Sequence, residues 1–301
     1  MKHLQDFRYI EAIMRAGSIR KAADDMNITA SALNRRIQRF EQEFGAAIFE
    51  RLPRGVRLNP AGELLVHHFR AQISALRRVQ GQVADLVGER RGHVTIACSQ
   101  ALSPYFLPKQ ISAYRHAHPG VSFSVNIRDR AAVEQGLATF ENDLALVLEP
   151  ANMTDVETLV SVQQIVHVIM RADHPLAREK EVRLRQCFDF PHVLPMASYA
   201  VRYLLEQALA GGTRKLHPIL ESDSFDLMRH YVEYENCVSF QVPVGLRLPR
   251  ESGLVSKPIS QRDMRAGVLL LGQLRGRTLP VASAKFAEVL SRSLLDAFPA
   301  N

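Results

Sequence analysis

The chain has 301 residues, of which 47% are hydrophobic, and a formal net charge of +7. This length predicts two or three compact units. The lack of an 18-residue apolar run and of a signal-peptide pattern argues against a membrane span and predicts a cytoplasmic protein. Residues 1–92 hold 16 Lys/Arg against 10 Asp/Glu, whereas the remainder is nearly balanced, so a polyanion is the expected partner of the front third.

The first 45 residues show three consecutive helix patterns. An opening amphipathic helix is predicted to stop near Gly17, and Ser18 is suited to cap a short second helix that carries the small pair Ala22-Ala23. Asn27 tolerates the left-handed backbone of a sharp turn, and Thr29 is suited to cap a third helix. The apolar face of that third helix is predicted to comprise Leu33, Ile37, Phe40 and Phe44, with the helix ending at Gly45.

The third helix leaves a polar stripe on another face, formed by Ser31, Asn34, Arg35 and Gln38. Such a helix, held by a short one packed across it, describes a helix-turn-helix with its recognition helix in a major groove. The alternative is a small helical bundle whose outer face is merely solvated. The next segment, "IFERLPRGVRLNPAG", places Arg51, Arg54 and Arg57 around a turn, which predicts a basic wing beside the reading helix.

A long helix is predicted from Asn59-Pro60 to about Arg90. Its apolar positions alternate four- and three-residue steps and form an a/d seam of Leu65, Phe69, Gln72, Leu76, Val79, Val83 and Leu86. That pattern favours pairing between two chains, and the alternative is a helix packed on its own domain.

From His93 onward, short β-rich runs alternate with helix patterns. The order "HVTIAC", helix, "VSFSVNIR", helix, "DLALVLE" is βαβαβ and predicts parallel strands with helices on both faces. A second set follows, with strands near "IVHVIM", "HVLP" and "CVSFQVP", helices from about Tyr199 and Ser224, and a final "GVLLLG" strand and helix over 280–298. Two doubly wound α/β lobes are the simplest interpretation, and ligands in such folds sit at strand ends.

Catalytic and metal motifs are missing from the sequence. It contains no GxSxG, HExxH, GxxxxGK[ST] or GxGxxG pattern, and the residue types Ser99, His118 and Asp143 have no triad-like spacing. Cys98, Cys187 and Cys237 lie far apart without metal-ligand spacing, so buried reduced thiols are expected. We therefore expect no enzyme activity, no metal and no cofactor.

Over residues 7–65 the chain resembles the winged helix-turn-helix of LysR-type transcriptional regulators, through "AGSIRKAADDMNITASALNRRIQRFEQEFGAAIFERLPRGVRLNPAGELL". The back end resembles the effector-binding domain of the same family through "HVTIACSQALSPYFLP", "HPGVSFSV", "NDLALVLEP" and "ADHPLA". The resemblance is looser after Leu176. Ala30 and Ser31 stand where many members have Gln and Pro, and Asn34 where many have Ser.

The resemblance implies a fold in three parts: a winged helix-turn-helix over 1–59, a linker and dimerisation helix over 60–91, and a two-lobed effector-binding domain over 92–301 that is similar to periplasmic binding proteins. Lobe one would comprise about 93–162 and 267–301, and lobe two about 163–266. The implied DNA-binding residues are Ser18, Thr29, Ala30, Ser31, Asn34, Arg35, Gln38, Arg51, Arg54 and Arg57. Asn34 or Arg35 is expected to carry more of the base discrimination than Ala30, because Ala30 offers at most a methyl contact.

The effector-binding candidates stand at predicted strand ends in the implied cleft. Ser99, Gln100 and Ser103 precede a helix whose N-terminus is suited to hold an anion. Ser198, Tyr199 and Arg202 repeat the arrangement in lobe two, where Arg202 is suited to grip a carboxylate. Arg128 and Gln241 follow two further strands. For each residue the alternative is a helix cap or an ordinary surface polar group.

The expected function is thus a ligand-responsive transcriptional regulator. Its expected partners are double-stranded DNA with an inverted-repeat site, a small effector, with anions among the candidates, and RNA polymerase. The chain is expected to form a homodimer or a homotetramer. An effector in the cleft would shift the lobes within a tetramer and alter promoter binding. Two alternatives are a DNA-binding architectural protein whose back end only oligomerises, and a redox sensor that uses its cysteines.

Overall fold

The computed structural model of the chain describes residues 2–53, 55–86, 91–151, 154–212 and 215–299. The chain divides into two compact units, residues 1–76 and 77–301. The predicted domain boundaries near 59 and 91 remain predictions. Within the described ranges, no helix combines the length and the apolar character that crossing a bilayer would require.

The N-terminal elements follow the predicted order. They are α1 (Lys2–Ala16), α2 (Ile19–Asp25), α3 (Ala30–Phe44), β1 (Phe49–Leu52), β2 (Gly55–Leu58) and α4 (Pro60–Leu86). The predicted caps are confirmed, since Ser18 and Thr29 accept backbone N–H bonds from Lys21 and Ala32. Asn27 has a positive φ of 54° in the turn between α2 and α3.

Three helices enclose the core of the N-terminal unit. Phe7, Ile10, Ile13, Ala22, Ala23, Leu33, Ile37 and Phe40 are buried there. The prediction that Phe44 completes the buried face of α3 is wrong, because this ring is 45% exposed and only stacks on Phe40. Phe44 is the last residue of α3, and Gly45 ends the helix in the left-handed conformation.

The seam predicted along α4 divides into two parts. Leu65 is buried and Phe69 is half-buried against the N-terminal core, with the Phe69 ring 5.2 Å from Phe7. Leu76, Val79 and Val83 are 43%, 49% and 55% exposed. Leu65 and Phe69 therefore pack on their own chain, whereas Leu76, Val79 and Val83 are available to a partner helix. The side chain of Leu86, the last residue of the predicted seam, lies outside the described residues.

The C-terminal unit alternates strands and helices. In chain order these are β3 (Gly92–Cys98), α5 (Phe106–Ala117), β4 (Val121–Ile127), α6 (Arg130–Ala138), β5 (Leu144–Leu148), β6 (Val156–Gln164), β7 (His167–Arg171), α7 (Leu184–Cys187), β8 (Val193–Pro195), α8 (Ala200–Leu209), β9 (Leu220–Ser222), α9 (Phe225–Tyr234), β10 (Ser239–Gln241), β11 (Leu254–Pro258), β12 (Gly267–Leu274) and α10 (Val281–Ala297).

Lobe one is a five-stranded sheet in the order β4-β3-β5-β12-β6. The strands β3, β4 and β5 are parallel as predicted, whereas β12 is antiparallel to both of its neighbours. Side chains alternate between the two faces: Leu144, Leu146 and Leu148 share a core with α5 and α10, while Ala145 and Val147 face a second core with α6. Helices thus cover both faces of the sheet, which makes the lobe doubly wound.

Lobe two contains an antiparallel sheet in the order β10-β7-β11 and a parallel pair of β8 and β9. A parallel bridge between His192 and Val238 joins the pair to β10. The predicted helix starts at Tyr199 and Ser224 are confirmed. The chain enters this lobe after β6 and leaves it before β12, so two strands of one sheet connect the lobes.

A buried ion pair fastens the returning chain to lobe one. The side chains of Asp143 and Arg277 are 7% and 5% exposed and are directly paired. Asp143 also accepts hydrogen bonds from the Ser283 hydroxyl at 2.8 Å and from the Thr95 backbone N–H at 3.2 Å. One carboxylate therefore joins β3, the loop before β5, the loop after β12, and α10.

We predict that Arg277→Met lowers the free energy of unfolding by about 3–5 kcal/mol, because it leaves the Asp143 carboxylate buried without its cation. The double variant Asp143→Leu/Arg277→Met should lose less, since it removes both charges together. Urea unfolding of the three proteins measures this. A single variant as stable as the wild type would contradict the assigned role of the pair.

Two histidines in lobe two are held in the neutral form. His174 is buried, and its Nδ1 accepts the Leu176 N–H at 3.2 Å. His192 accepts the His217 N–H at Nε2 and so donates from Nδ1 to the Phe190 carbonyl. Burial lowers the pKa of both histidines below the ordinary value of 6.5. Burial also lowers the pKa of His93 and of His167.

We therefore expect stability to fall as the pH drops below about 6.5, because the unfolded chain then binds protons that these histidines resist in the folded chain. His174→Asn keeps an acceptor for the Leu176 N–H but does not titrate. The melting temperature of this variant, measured from pH 5 to 8, should depend less steeply on pH than that of the wild type. An unchanged slope would argue against a contribution of His174.

Candidate functional site

The helix α3 is fixed to its unit through one face. Leu33, Ile37 and Phe40 are buried, and the helix begins at its cap Thr29. The Glu41 carboxylate, near its other end, accepts the Ile48 and Phe49 N–H groups at 2.8 and 3.3 Å. Both ends of the helix therefore have set positions relative to the hairpin that follows.

The opposite face of α3 carries the predicted reading residues. Asn34 is half-buried, and five others are exposed: Thr29, Ala30, Ser31, Arg35 and Gln38. The hydroxyls of Thr29 and Ser31 are 3.2 Å apart. Within the described ranges no carboxylate pairs with Arg35, so its guanidinium is available to an external acceptor such as a base edge or a phosphate.

The neighbouring Arg36 has a structural role, which the sequence did not predict. Its Nε donates to the buried Asp6 carboxylate at 2.8 Å, and its guanidinium lies 5.3 Å from the centre of the Tyr9 ring. Arg36 thus ties α3 to α1. The two adjacent arginines line one groove of about 400 Å³ beside α3, yet only Arg35 is uncommitted.

The predicted wing is an antiparallel hairpin of β1 and β2. The Gly17 carbonyl accepts the Val56 N–H at 3.0 Å, and a Cβ at Gly55 would lie 2.2 Å from the same oxygen, so only glycine allows this approach. The contact holds the hairpin against the turn between α1 and α2, near the Ser18 cap.

The wing arginines do not share one face. Arg57 lies opposite Glu50 in the register and pairs with its carboxylate, whereas Arg51 lies opposite Val56. Because side chains alternate along a strand, Arg51 and Arg57 project from opposite faces of the hairpin. Both are exposed, while Arg54 lies outside the described residues.

A cleft of about 390 Å³ lies between the two lobes of the C-terminal unit. Its lining comes from the end of β4, from residues just after β4, β8 and β9, and from Ala132 in the first turn of α6. These residues are Ile127, Arg128, Asp129, Ala132, Met196, Ser198, Tyr199 and Asp223. Three predicted effector residues, Arg128, Ser198 and Tyr199, are thus brought together, at the strand ends where such folds bind ligands.

Three other candidates lie where the lobes touch. Ser99 is buried, Ser103 donates to the Gln100 carbonyl, and the Gln100 side chain accepts the Phe225 N–H of lobe two at 2.8 Å. The predicted anion site before α5 is therefore occupied by protein contacts: Gln100 bridges the lobes, and a Cβ at Gly245 would lie 1.8 Å from the Ala101 carbonyl oxygen.

Gln241 and Arg202 are also committed within the protein. The buried Gln241 side chain accepts the Val242 N–H at 2.8 Å. Arg202 is paired with Glu206 at 2.7 Å and Glu221 at 2.5 Å, and its side chain is 12% exposed. The geometry does not support the prediction that Arg202 grips an effector carboxylate, because two protein carboxylates already neutralise it.

Beside the cleft, Arg130 connects the lobes. Its guanidinium lies 4.1 Å from the centre of the Tyr203 ring in lobe two and also donates to the Glu149 carbonyl. The Glu149 carboxylate forms a two-pronged pair with Arg265 at 2.8 and 2.7 Å. The pKa of Glu149 is lowered by its hydrogen bond to Arg265, against the opposing effect of burial. We call Arg130, Tyr203, Glu149 and Arg265 the interlobe clasp.

The three cysteines are buried, and Asp143, which was considered for catalysis, is held in an ion pair. Cys98, Cys187 and Cys237 are buried, and burial raises their thiol pKa values to about 12, 12 and 11. Such thiols hold little reactive thiolate at neutral pH. Asp143 is committed to Arg277, and the described residues contain no cluster of His, Cys, Asp and Glu suited to a metal.

Comparison with known families matches both units. Residues 4–63 match the "Bacterial regulatory helix-turn-helix protein, lysR family" model, and residues 88–294 match the "LysR substrate binding domain" model. The HTH-type transcriptional activator CmpR of Synechocystis sp. is 25% identical over 229 residues, which are 76% of this chain and 75% of that protein. The relatives are transcriptional regulators rather than enzymes.

Two solved structures share the fold over nearly the full length. A variant of full-length OxyR from Pseudomonas aeruginosa has a TM-score of 0.71 at 20% identity, covering 97% of this chain and 94% of its own. Full-length CbnR in complex with its target DNA has a TM-score of 0.65 at 15% identity, covering 96% of this chain and 99% of its own. With a helix-turn-helix unit, a two-lobed effector-binding unit and both family models matched, the chain belongs to the LysR family of DNA-binding transcriptional regulators.

Proposed function

We propose that this regulator reads its DNA site through the exposed face of α3, with Ser31, Asn34, Arg35 and Gln38 towards the major groove. The uncommitted guanidinium of Arg35 carries the proposal, because its neighbour Arg36 is held by Asp6. Ser18, Thr29 and Ala30 would border this face at the helix starts. Arg51, Arg54 and Arg57 would contact phosphates, with Arg51 and Arg57 reaching different parts of the backbone.

The exposed stripe of Leu76, Val79 and Val83 on α4 supports a proposed pairing of two chains. A two-fold dimer would read an inverted-repeat site, and two dimers would form a tetramer. The protein would act in the cytoplasm with RNA polymerase as a further partner, and without catalysis. The full-length CbnR structure, which shares the fold, is a complex with its target DNA and supports DNA as a partner of this chain.

Effector binding is proposed for the cleft lined by Arg128, Ser198 and Tyr199. Ser99, Gln100, Ser103 and Gln241 would act behind it as interlobe contacts, and Arg202 as a structural ion pair. Two residues of the interlobe clasp are close in sequence to residues that line this cleft. Arg130 directly follows Asp129, and Tyr203 lies one helical turn after Tyr199. An effector that favours one lobe arrangement would shift its population and thereby change promoter binding.

A redox-sensing function is not proposed, although the OxyR structure shares the fold. The three cysteines are buried with raised thiol pKa values, which disfavours reaction with an oxidant.

For the DNA site, we predict that Asn34→Ala and Arg35→Ala each weaken specific binding by about 1–3 kcal/mol and relax sequence preference. Arg51→Ala and Arg57→Ala should weaken binding to all sequences alike and reduce the slope of log affinity against log salt by about one each. Footprinting and salt titrations on the DNA upstream of the gene measure both effects.

The matched control is Arg292→Ala, which removes an exposed arginine of the C-terminal unit and should leave sequence preference unchanged. Retention of full sequence preference in both α3 variants would contradict the assigned reading face. If no site is protected under any condition, with or without a deproteinised cell extract, the proposed function itself fails.

For the clasp, we predict that Tyr203→Leu abolishes or weakens the change in footprint produced by a deproteinised cell extract, because it removes the ring under Arg130. Tyr203→Phe keeps the ring and should respond like the wild type. Tyr234→Leu, at an 80% exposed position, is the control for loss of a tyrosine. A normal response from Tyr203→Leu would exclude the clasp from signalling.

A further inference from the structure

The lining of the cleft holds an unbalanced set of charges. Arg128 supplies one cation, whereas Asp129 and Asp223 supply two carboxylates. The formal charge of the lining is therefore negative. This differs from a site built for a dianion, in which cations outnumber carboxylates.

These three charges have no compensating ion pair among the residues that the structure describes. Arg128 donates from Nη1 only to the Ile127 carbonyl, and Asp129 uses one oxygen to accept the Ala132 N–H at 2.9 Å as the cap of α6. Asp223 is exposed and follows β9. Arg202, by contrast, is saturated by Glu206 and Glu221. The charges of the lining are thus available to a ligand.

The carboxylates of Asp129 and Asp223 both act on the Tyr199 phenol. Burial raises the pKa of the Tyr199 phenol, and the charges of Asp223 and Asp129 raise it further. Tyr199 is therefore protonated at neutral pH and offers a hydroxyl. Because Asp129 belongs to lobe one and Asp223 to lobe two, a cation placed beside Tyr199 would be attracted by both lobes.

From this arrangement we infer that the effector is zwitterionic: a small amino-acid-type metabolite whose ammonium group lies between Asp129 and Asp223 and whose carboxylate pairs with Arg128. Ser198 and the Tyr199 hydroxyl supply hydrogen bonds, and Ile127, Ala132 and Met196 contact the carbon chain. An ammonium group held between lobe one and lobe two stabilises their approach, which links binding to lobe orientation. The inference rests on the proposed effector cleft and specifies its ligand.

The test uses three five-carbon probes that differ only in their end groups: 5-aminopentanoate (a zwitterion), glutarate (a dianion) and 1,5-diaminopentane (a dication). The twenty protein amino acids are added to cover other shapes. Thermal shift and calorimetry on the full chain should show binding by at least one zwitterion and weaker or no binding by glutarate.

Asp223→Asn should lower the affinity for the bound zwitterion roughly five- to tenfold and raise the relative affinity for glutarate, because one carboxylate charge is removed. Asp129→Asn keeps the helix cap and should act in the same direction. Asp296→Asn makes the same charge change on the exposed side of α10 and should leave both affinities unaltered.

Tighter binding of glutarate or of 1,5-diaminopentane than of every zwitterion would overturn the inference, as would a panel in which no zwitterion binds. Equal effects of Asp223→Asn and Asp296→Asn would also overturn it. Each of these results leaves the proposed function standing if the footprint is retained. Loss of every footprint would instead refute the proposed function, but it would not change the result of the ligand-affinity measurements.

Discussion

The ion pair of Asp143 and Arg277 fixes the returning chain in lobe one, and the arrangement of both lobes depends on this connection. The polypeptide leaves lobe one after β6, builds lobe two, and returns as β12 between β5 and β6. Asp143 then binds Arg277 just after β12 and Ser283 in α10. Lobe one is therefore complete only after lobe two has been made. The two connecting strands keep the lobes adjacent, and the cleft lies where the ends of β4, β8 and β9 meet.

Periodicity and capping chemistry predicted much of this fold. The caps Ser18 and Thr29, the βαβαβ order of lobe one and the starts of α8 and α9 depend on residues close in sequence, so a local pattern suffices. The strand β6 was not predicted, because the exposed run from Glu157 to Leu159 separates the buried Val156 from Val160 and interrupts the alternation. The antiparallel placement of β12 was also beyond a local pattern, since its pairing partners lie more than 100 residues earlier.

The candidate site residues also divide into those that a local sequence pattern predicts and those whose role depends on tertiary contacts. Position after a strand predicted Arg128, Ser198 and Tyr199 as neighbours, and the three residues line one cleft in the structure. The sequence could not distinguish Arg35 from Arg36, because the difference is the carboxylate of Asp6, some 30 residues away and on another helix. The ion pairs of Arg202 show the same limit: Glu206 is visible at i+4 in the sequence, but Glu221 comes from β9. Tertiary partners therefore decide which polar residues are available to ligands.

The contact between the hairpin and the Gly17 carbonyl is made by backbone atoms alone, through the Val56 N–H and the space left by Gly55. The placement of the wing thus does not depend on any side chain of the exposed face of α3. Substitutions at Asn34, Arg35 or Gln38 can accumulate without moving the hairpin. The N-terminal unit is in this sense modular: descendants of this regulator could acquire new operator sequences by changing one helix face while general DNA affinity is inherited unchanged.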